Sequence, residues 1–128
     1  MLIAMERATL KSWIERYERL WRTPGTDGLT ELFSADVTYM PSPWRKPIRG
    51  LEALAAFWDE EREGPDERFT LKSEVVAVEG DVGVARVEVT YGRGQRWRDL
   101  WVVRLDADGR CTAFEEWPFS PTQPDGHE

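Results

Sequence analysis

The sequence is short of the residues that most often announce a chemistry. One cysteine and one histidine occur in 128 residues. Cys111 has no second cysteine with which to close an internal disulfide, which fits a reducing compartment and an expected cytoplasmic location. His127 lies at the very end of the sequence, so a histidine-based metal centre or catalytic triad lacks its material. The run Asp106-Ala107-Asp108-Gly109 has the opening of a calcium loop without its later ligands, and reads as a hairpin turn. No glycine-rich phosphate loop is present, so neither a nucleotide nor any other cofactor is expected, and no metal. Apolar runs fall well short of the roughly 20 residues that cross a bilayer, and Met1 to Arg7 does not read as a secretion signal. Positive charge is also in deficit. Lys and Arg total 17 against 24 Asp and Glu, a net charge of −7, whereas a nucleic-acid surface needs a clustered positive field. Arg93, Arg96 and Arg98 do interleave with Trp97, but at a hairpin, where a solvated turn is the simpler reading. Partners of the nucleic-acid and membrane classes are therefore not expected.

Aromatic residues are what the sequence has in excess: seven Trp, five Phe and three Tyr. Each carries a large apolar area, so a chain of this size holds either a heavy core or an aromatic-lined cavity, and the two are compatible. The length allows one domain. We place it at residues 1–119, followed by a flexible tail at 120–128 with Pro121, Pro124 and Gly126.

The first element spans about Met5 to Arg22. Leu10, Trp13, Ile14, Tyr17, Leu20 and Trp21 recur at helical spacing on one stripe. Glu15 with Arg19 and Glu18 with Arg22 make i,i+4 pairs on the other face. After Thr23-Pro24-Gly25, Asp27 offers a side-chain cap to a short helix carrying Leu29, Leu32 and Phe33. Asp36 to Met40 reads as a strand ended by the proline-rich loop 41–47. Gly50 opens a third helix, Leu51 to about Arg62, closed by Gly64-Pro65-Asp66. From there the period changes from 3.6 to 2. Phe69–Glu79, Val82–Tyr91, Gln95–Leu105 and Arg110–Phe119 read as four long strands joined by tight turns, which force antiparallel neighbours.

This order is similar to the nuclear-transport-factor-2-like superfamily and its SnoaL-like group. The residues that carry the resemblance are the Trp13/Tyr17 helix, Leu32 to Tyr39, and Pro47-Ile48-Arg49-Gly50 before helix three. Arg104 to Arg110 and Glu116-Trp117 complete the set, so it covers about residues 8–119. It implies an α+β fold in which three N-terminal helices pack in the concave side of a strongly curved antiparallel sheet, a cystatin-like cone roll. Function does not follow from that fold, which hosts enzymes and inert binding domains alike.

Against the ketosteroid isomerases of that superfamily, Tyr17 falls where an oxyanion-holding tyrosine stands. Pro41 and Trp101 occupy the places of the general base and the second acid, so steroid isomerisation by that route is excluded. The SnoaL-like pattern puts an Asp or His near the end of the last strand; Phe114 and Glu116 are the candidates there, and of the two only Glu116 can titrate. Phe114 and Glu116 are expected inward and Glu115 outward. Glu116 is then either a desolvated acid or base or the partner of Arg86 in a structural ion pair; Tyr17 is either an oxyanion donor or an ordinary core tyrosine. Strand 82–91 admits two registers. Patterning buries Ala85, Val87, Val89 and Tyr91 against the helices. The family register turns Arg86 and Glu88 to the cavity and leaves the apolar set outside, to be covered by a second subunit; we adopt it as the expectation. Trp97, Asp99, Trp101 and Val103 share the inward face of the next strand. Tyr39, Trp44 and Trp58 are expected at the lip of the pocket, or else as plain core and loop residues.

The expected activity is that of a binding domain for a small apolar or aromatic molecule. Glu116 and Tyr17 would do acid–base work of an isomerase, cyclase or dehydratase kind, with Tyr39, Trp58, Arg86, Glu88, Asp99, Trp101 and Phe114 holding the ligand. The alternative is a non-catalytic homodimeric binding or accessory domain whose cavity groups satisfy one another.

Overall fold

In the computed structural model, which describes residues 4–62 and 68–124, three helices cover one face of a six-stranded sheet. Helix α1 runs Arg7–Arg22 and buries Leu10, Trp13, Ile14 and Tyr17, the stripe that its spacing marks out. Its end is closed by Thr23, whose N–H bonds Leu20 O at 3.0 Å and whose hydroxyl bonds Arg19 O at 2.7 Å. Helix α2 is a single turn, Leu29–Leu32, with Gly28 at its N-cap and no side-chain cap, so the cap expected from Asp27 does not form. Strand β1 begins at once, Phe33–Met40, and β2 is the two-residue Ile48–Arg49, which proline-rich surroundings hide from pattern reading. Helix α3 is Leu51–Glu61. Strands β3 (Phe69–Glu79), β4 (Val82–Tyr91), β5 (Arg96–Leu105) and β6 (Cys111–Phe119) follow. The stop signal at Gly64-Pro65-Asp66 lies outside the described residues, as do 125–128 of the expected tail.

The sheet order is β2-β1-β6-β5-β4-β3. The meander from β3 to β6 is antiparallel, as the short turns require, while β1 joins β6 in parallel. The sheet stays open, with β2 and β3 at its edges. This is the α+β cone-type fold, mostly but not wholly antiparallel.

Two glycines let the helices seat. Gly50 adopts φ 85° at the start of α3, a left-handed conformation that costs L-residues energy, and its N–H bonds Val37 O at 2.8 Å. At Gly83 on β4, an added Cβ would fall 2.6 Å from Leu10 Cδ2 and 2.7 Å from Met5 Sδ, so Leu10 of α1 and Met5 would have to shift to admit a side chain there. Across β3, Arg7 Nη2 bonds Val75 O at 2.9 Å and Lys11 Nζ bonds Ser73 Oγ at 2.8 Å and Ser73 O at 3.2 Å. Arg62 ties the other end of α1 to α3 through Thr23 O (2.8 Å) and Gly25 O (2.7 Å).

Strand β4 overturns the family register. Ala85 and Val87 are fully buried under the helices, and Val89 packs partly buried against the same core. Arg86 and Glu88 point the other way, into solvent. Arg86 pairs with Glu74 at 3.5 Å and Glu88 with Arg98 at 3.3 Å, all four side chains more than half exposed. The reason is elementary: the α1 stripe needs an apolar surface opposite, and burying Arg86 and Glu88 there would strand two charges. The apolar stripe once assigned to a dimer contact is therefore core.

Candidate ligand-binding and acid–base site

The inward faces of β4, β5 and β6 run beyond the ends of the helices, and the space left there is a pocket of about 350 Å³. Tyr17 and Trp21 of α1, Tyr39 of β1 and Phe57 of α3 wall one side. Val89 and Tyr91 of β4 with Trp97 and Trp101 of β5 wall the other. Period-2 alternation along β5 puts Trp97, Asp99 and Trp101 on one face, as expected from the sequence. The pairing of Trp101 with Glu116 then sets Glu116 on the neighbouring strand, beside Asp99.

Aromatic packing fixes the floor. Tyr17 lies 4.7 Å from Trp101, centroid to centroid, and Tyr39 stacks on Phe114 at 4.7 Å with planes 15° apart. The Tyr17 and Tyr39 hydroxyls are 3.0 Å apart and share a hydrogen bond. Burial raises the pKa of both phenols well above the usual range. For Tyr17, Tyr39 and Glu116 add to the effect; for Tyr39, Glu116 adds to it, while hydrogen bonding to Tyr17 offsets part. Both are neutral donors at physiological pH.

Asp99 is the one buried charged-type side chain among the described residues, 7 % exposed. Trp101 Nε1 donates to its Oδ2 at 3.3 Å. Oδ1 receives no hydrogen bond from an amide, indole or alcohol group. What stands beside it is the carboxyl of Glu116. Glu116 is half-buried as a residue, and its carboxyl end is the part the pocket walls desolvate. That desolvation raises its pKa well above the carboxylate range, and the Asp99 carboxylate beside it and the more distant Glu61 push it further up. Asp99 is raised too, by burial, with the hydrogen bonds from Glu116 and Trp101 holding it down. Where two such carboxyls face each other, ionising one opposes ionising the other, so the pair titrates as a unit that holds a shared proton. Such a pair can offer an acid and a base side by side.

Tyr17, Tyr39, Asp99, Trp101 and Glu116 thus come together at the pocket as the sequence reading assigned them. Arg86 and Glu88 do not, for the reason given above, and the Glu116–Arg86 ion pair does not exist. Trp58 and Phe114 are 0 % and 1 % exposed and sit behind the wall, supporting Tyr17 and Tyr39 rather than meeting a ligand. Trp44 is 98 % exposed and forms no lip. Sequence reasoning missed Trp21, Phe57 and Tyr91 as pocket walls, the first two because they continue helical stripes and read as core; Trp97 it placed inward without counting it among the ligand residues. It missed Arg45 and Glu61 at the mouth as well, joined at 3.8 Å. Cys111 is a packed thiol whose burial pushes its pKa up to about 12. Among the described residues no cluster of His, Cys, Asp and Glu is placed to hold a metal ion, and no helix is long and apolar enough to cross a membrane.

A family model for the SnoaL-like domain matches residues 14–114. The chain belongs to the SnoaL-like domain family. Solved structures share its fold at low identity. A protein from Kribbella flavida DSM 17836, provisionally termed a ketosteroid isomerase, superposes with a TM-score of 0.68 at 16 % identity, over 91 % of this chain and 82 % of that one. An NTF2-like protein of unknown function from Mesorhizobium loti gives 0.66 at 20 % identity, over 93 % and 98 %. An isomerase of the SnoaL-like family, also provisionally so termed, from Agrobacterium tumefaciens C58 gives 0.68 at 16 %, over 88 % and 98 %. No curated protein matches the chain. In this SnoaL-like domain the wall position Pro41 has no proton to exchange. Asp99 and Glu116 line the same pocket from the adjoining strands β5 and β6.

Proposed function

We propose that this SnoaL-like domain binds a small, largely apolar molecule in the aromatic pocket and performs acid–base chemistry on it with the Asp99–Glu116 pair. The single observation that supports this reading is the pair itself: two neighbouring carboxyls whose pKa burial raises, both lining a cavity of about 350 Å³. That volume sits at the low end of ligand pockets, so the ligand is compact. Tyr17 and Tyr39 serve as neutral hydrogen-bond donors beside the pair. The reaction class is proton transfer of an isomerase, cyclase or dehydratase kind, in the cytoplasm, where a lone thiol is at home.

A fragment screen followed on the Trp101 indole N–H resonance tests the binding. Hits should shift that resonance, and filling the cavity with Val89→Trp should abolish the shift. In D₂O, a bound molecule should exchange carbon-bound hydrogens next to its polar end in the wild type and not in Glu116→Gln. Hits without any such exchange would leave a binding domain and remove the enzyme. One observation favours that second reading in its homodimeric form. Leu100, Trp117 and Phe119 are 38 %, 37 % and 54 % exposed on the outer sheet face. A second copy covering them would give, by light scattering, twice the 14.8 kDa of the chain.

A further inference from the structure

We propose that the buried end of the ligand is an organic cation, a compact ammonium group set against Asp99 and Glu116 with the rest of the molecule along the aromatic walls. The inference rests on reading the pocket as a small-molecule site and says which chemistry it selects.

Three independent observations converge. Asp99 is more than nine-tenths buried, lines the pocket, and keeps one carboxylate oxygen without a donor from any amide, indole or alcohol. Its remaining neighbour is the Glu116 carboxyl, itself an acid, so negative charge on the pair meets no base, and a bound cation removes that cost. Second, the charged groups sort by depth. Asp99 and Glu116 lie at the floor with no Lys, Arg or His among the floor residues, and Glu61 adds a third acid on the same pocket. The two arginines of the lining stand at the mouth and are occupied there. Arg45 pairs with Glu61 and lies 5.0 Å over Phe57, and Arg93 donates to Gln95 Oε1 at 2.9 Å and lies 5.4 Å from the Tyr91 ring. Third, the walls are π faces. Tyr17, Trp21, Tyr39 and Trp101 surround the floor, and ring faces attract cations most strongly where water is excluded.

Other ligand classes fit less well. A carboxylate would be a further anion beside the two acids. A neutral carbonyl or alcohol accepts the Glu116 proton or gives one hydrogen bond, but leaves the charge on the pair uncompensated. An ammonium supplies donors and charge together, and its arrival favours loss of the shared proton. The other titratable groups facing the pair are Tyr17 of α1, Tyr39 of β1 and Glu61 of α3. The phenols stay protonated, and Glu61 adds to the negative field.

The test uses three soluble probes of one shape: protonated phenethylamine, 2-phenylethanol and phenylacetate, titrated at pH 7 against the intact chain and read on the Trp101 indole N–H. The amine should bind at least about tenfold more tightly than the alcohol, and phenylacetate most weakly. Calorimetry in buffers of different ionisation heat should show proton release with the amine alone. In Asp99→Asn the preference should shrink to under about threefold. Should that variant not fold, Glu116→Gln carries the test, because it should keep amine binding and abolish proton release. Alcohol binding as tight as amine binding overturns the cation inference while the pocket reading stands. If no probe moves the indole N–H, the pocket reading falls with it. An amine preference unchanged in Asp99→Asn, or proton release that persists in Glu116→Gln, overturns the assignment to these two acids.

Discussion

The two faces of the β4–β5–β6 sheet use the same residue types to opposite ends. On the outer face Arg86 meets Glu74 and Arg98 meets Glu88, all in water, where an ion pair contributes little and rearranges freely. On the inner face, one residue along the chain from Arg98, Asp99 is buried with a second acid beside it and no base. Charge on the outer face satisfies itself. Charge on the inner face is left open to something that is not protein. The contrast teaches that the informative charges in a small domain are those without an obvious partner, and burial marks them.

The largest expected effect comes from putting an outer-type residue on the inner face. Val87→Asp places an unpaired charge where exposure is 0 % and should cost at least about 3 kcal/mol, measured by urea unfolding. A loss under about 1 kcal/mol would mean that β4 is not packed as described.

Next is the pH dependence of stability. Glu116 is raised in the folded state, so from the ordinary glutamate value of 4.5 upward to its folded pKa the native chain holds more protons than the unfolded one. Stability from Glu116 is then fully present below pH 4.5 and is lost as pH rises through the folded value, at up to about 1.4 kcal/mol per pH unit. Glu116→Gln should flatten that slope and raise stability at neutral pH. Had Glu116 been paired with Arg86, the same substitution would destabilise, so denaturant melts at two pH values decide between the two pictures.

Smaller still is Tyr17→Phe, which removes the bond to Tyr39 and should cost about 1 kcal/mol while weakening any ligand that uses that hydroxyl. The smallest is Arg86→Gln on the outer face, expected within about 0.5 kcal/mol by the same melts.

Much of this was legible in the sequence because each feature rests on a local period. The α1 stripe, the four long strands and the inward set Trp97, Asp99 and Trp101 follow from spacing alone. Strand β4 was also legible: its alternation buries Ala85 and Val87, and the reading failed where a family register was preferred over that pattern. The pairing of Asp99 with Glu116 was not legible. It depends on how β5 and β6 align across the Asp106–Gly109 turn, where the register shifts between Arg104 and Leu105. Trp44 misled for a related reason, since a tryptophan among prolines looks like a pocket lip but lies on a loop that carries it into solvent. Short β2 and the start of β1 at Phe33 depend on cross-strand partners distant in the chain.

The bonds from Arg7 and Lys11 to β3 have a bearing on solubility. β3 is an edge strand, and an edge strand with free carbonyls is a template on which another chain can add. Arg7 and Lys11 occupy the carbonyls of Val75 and Ser73 with fixed positive charge, near a register shift between Val75 and Ala77 that further spoils a flat edge. The helix that completes the core therefore also guards the sheet against growth.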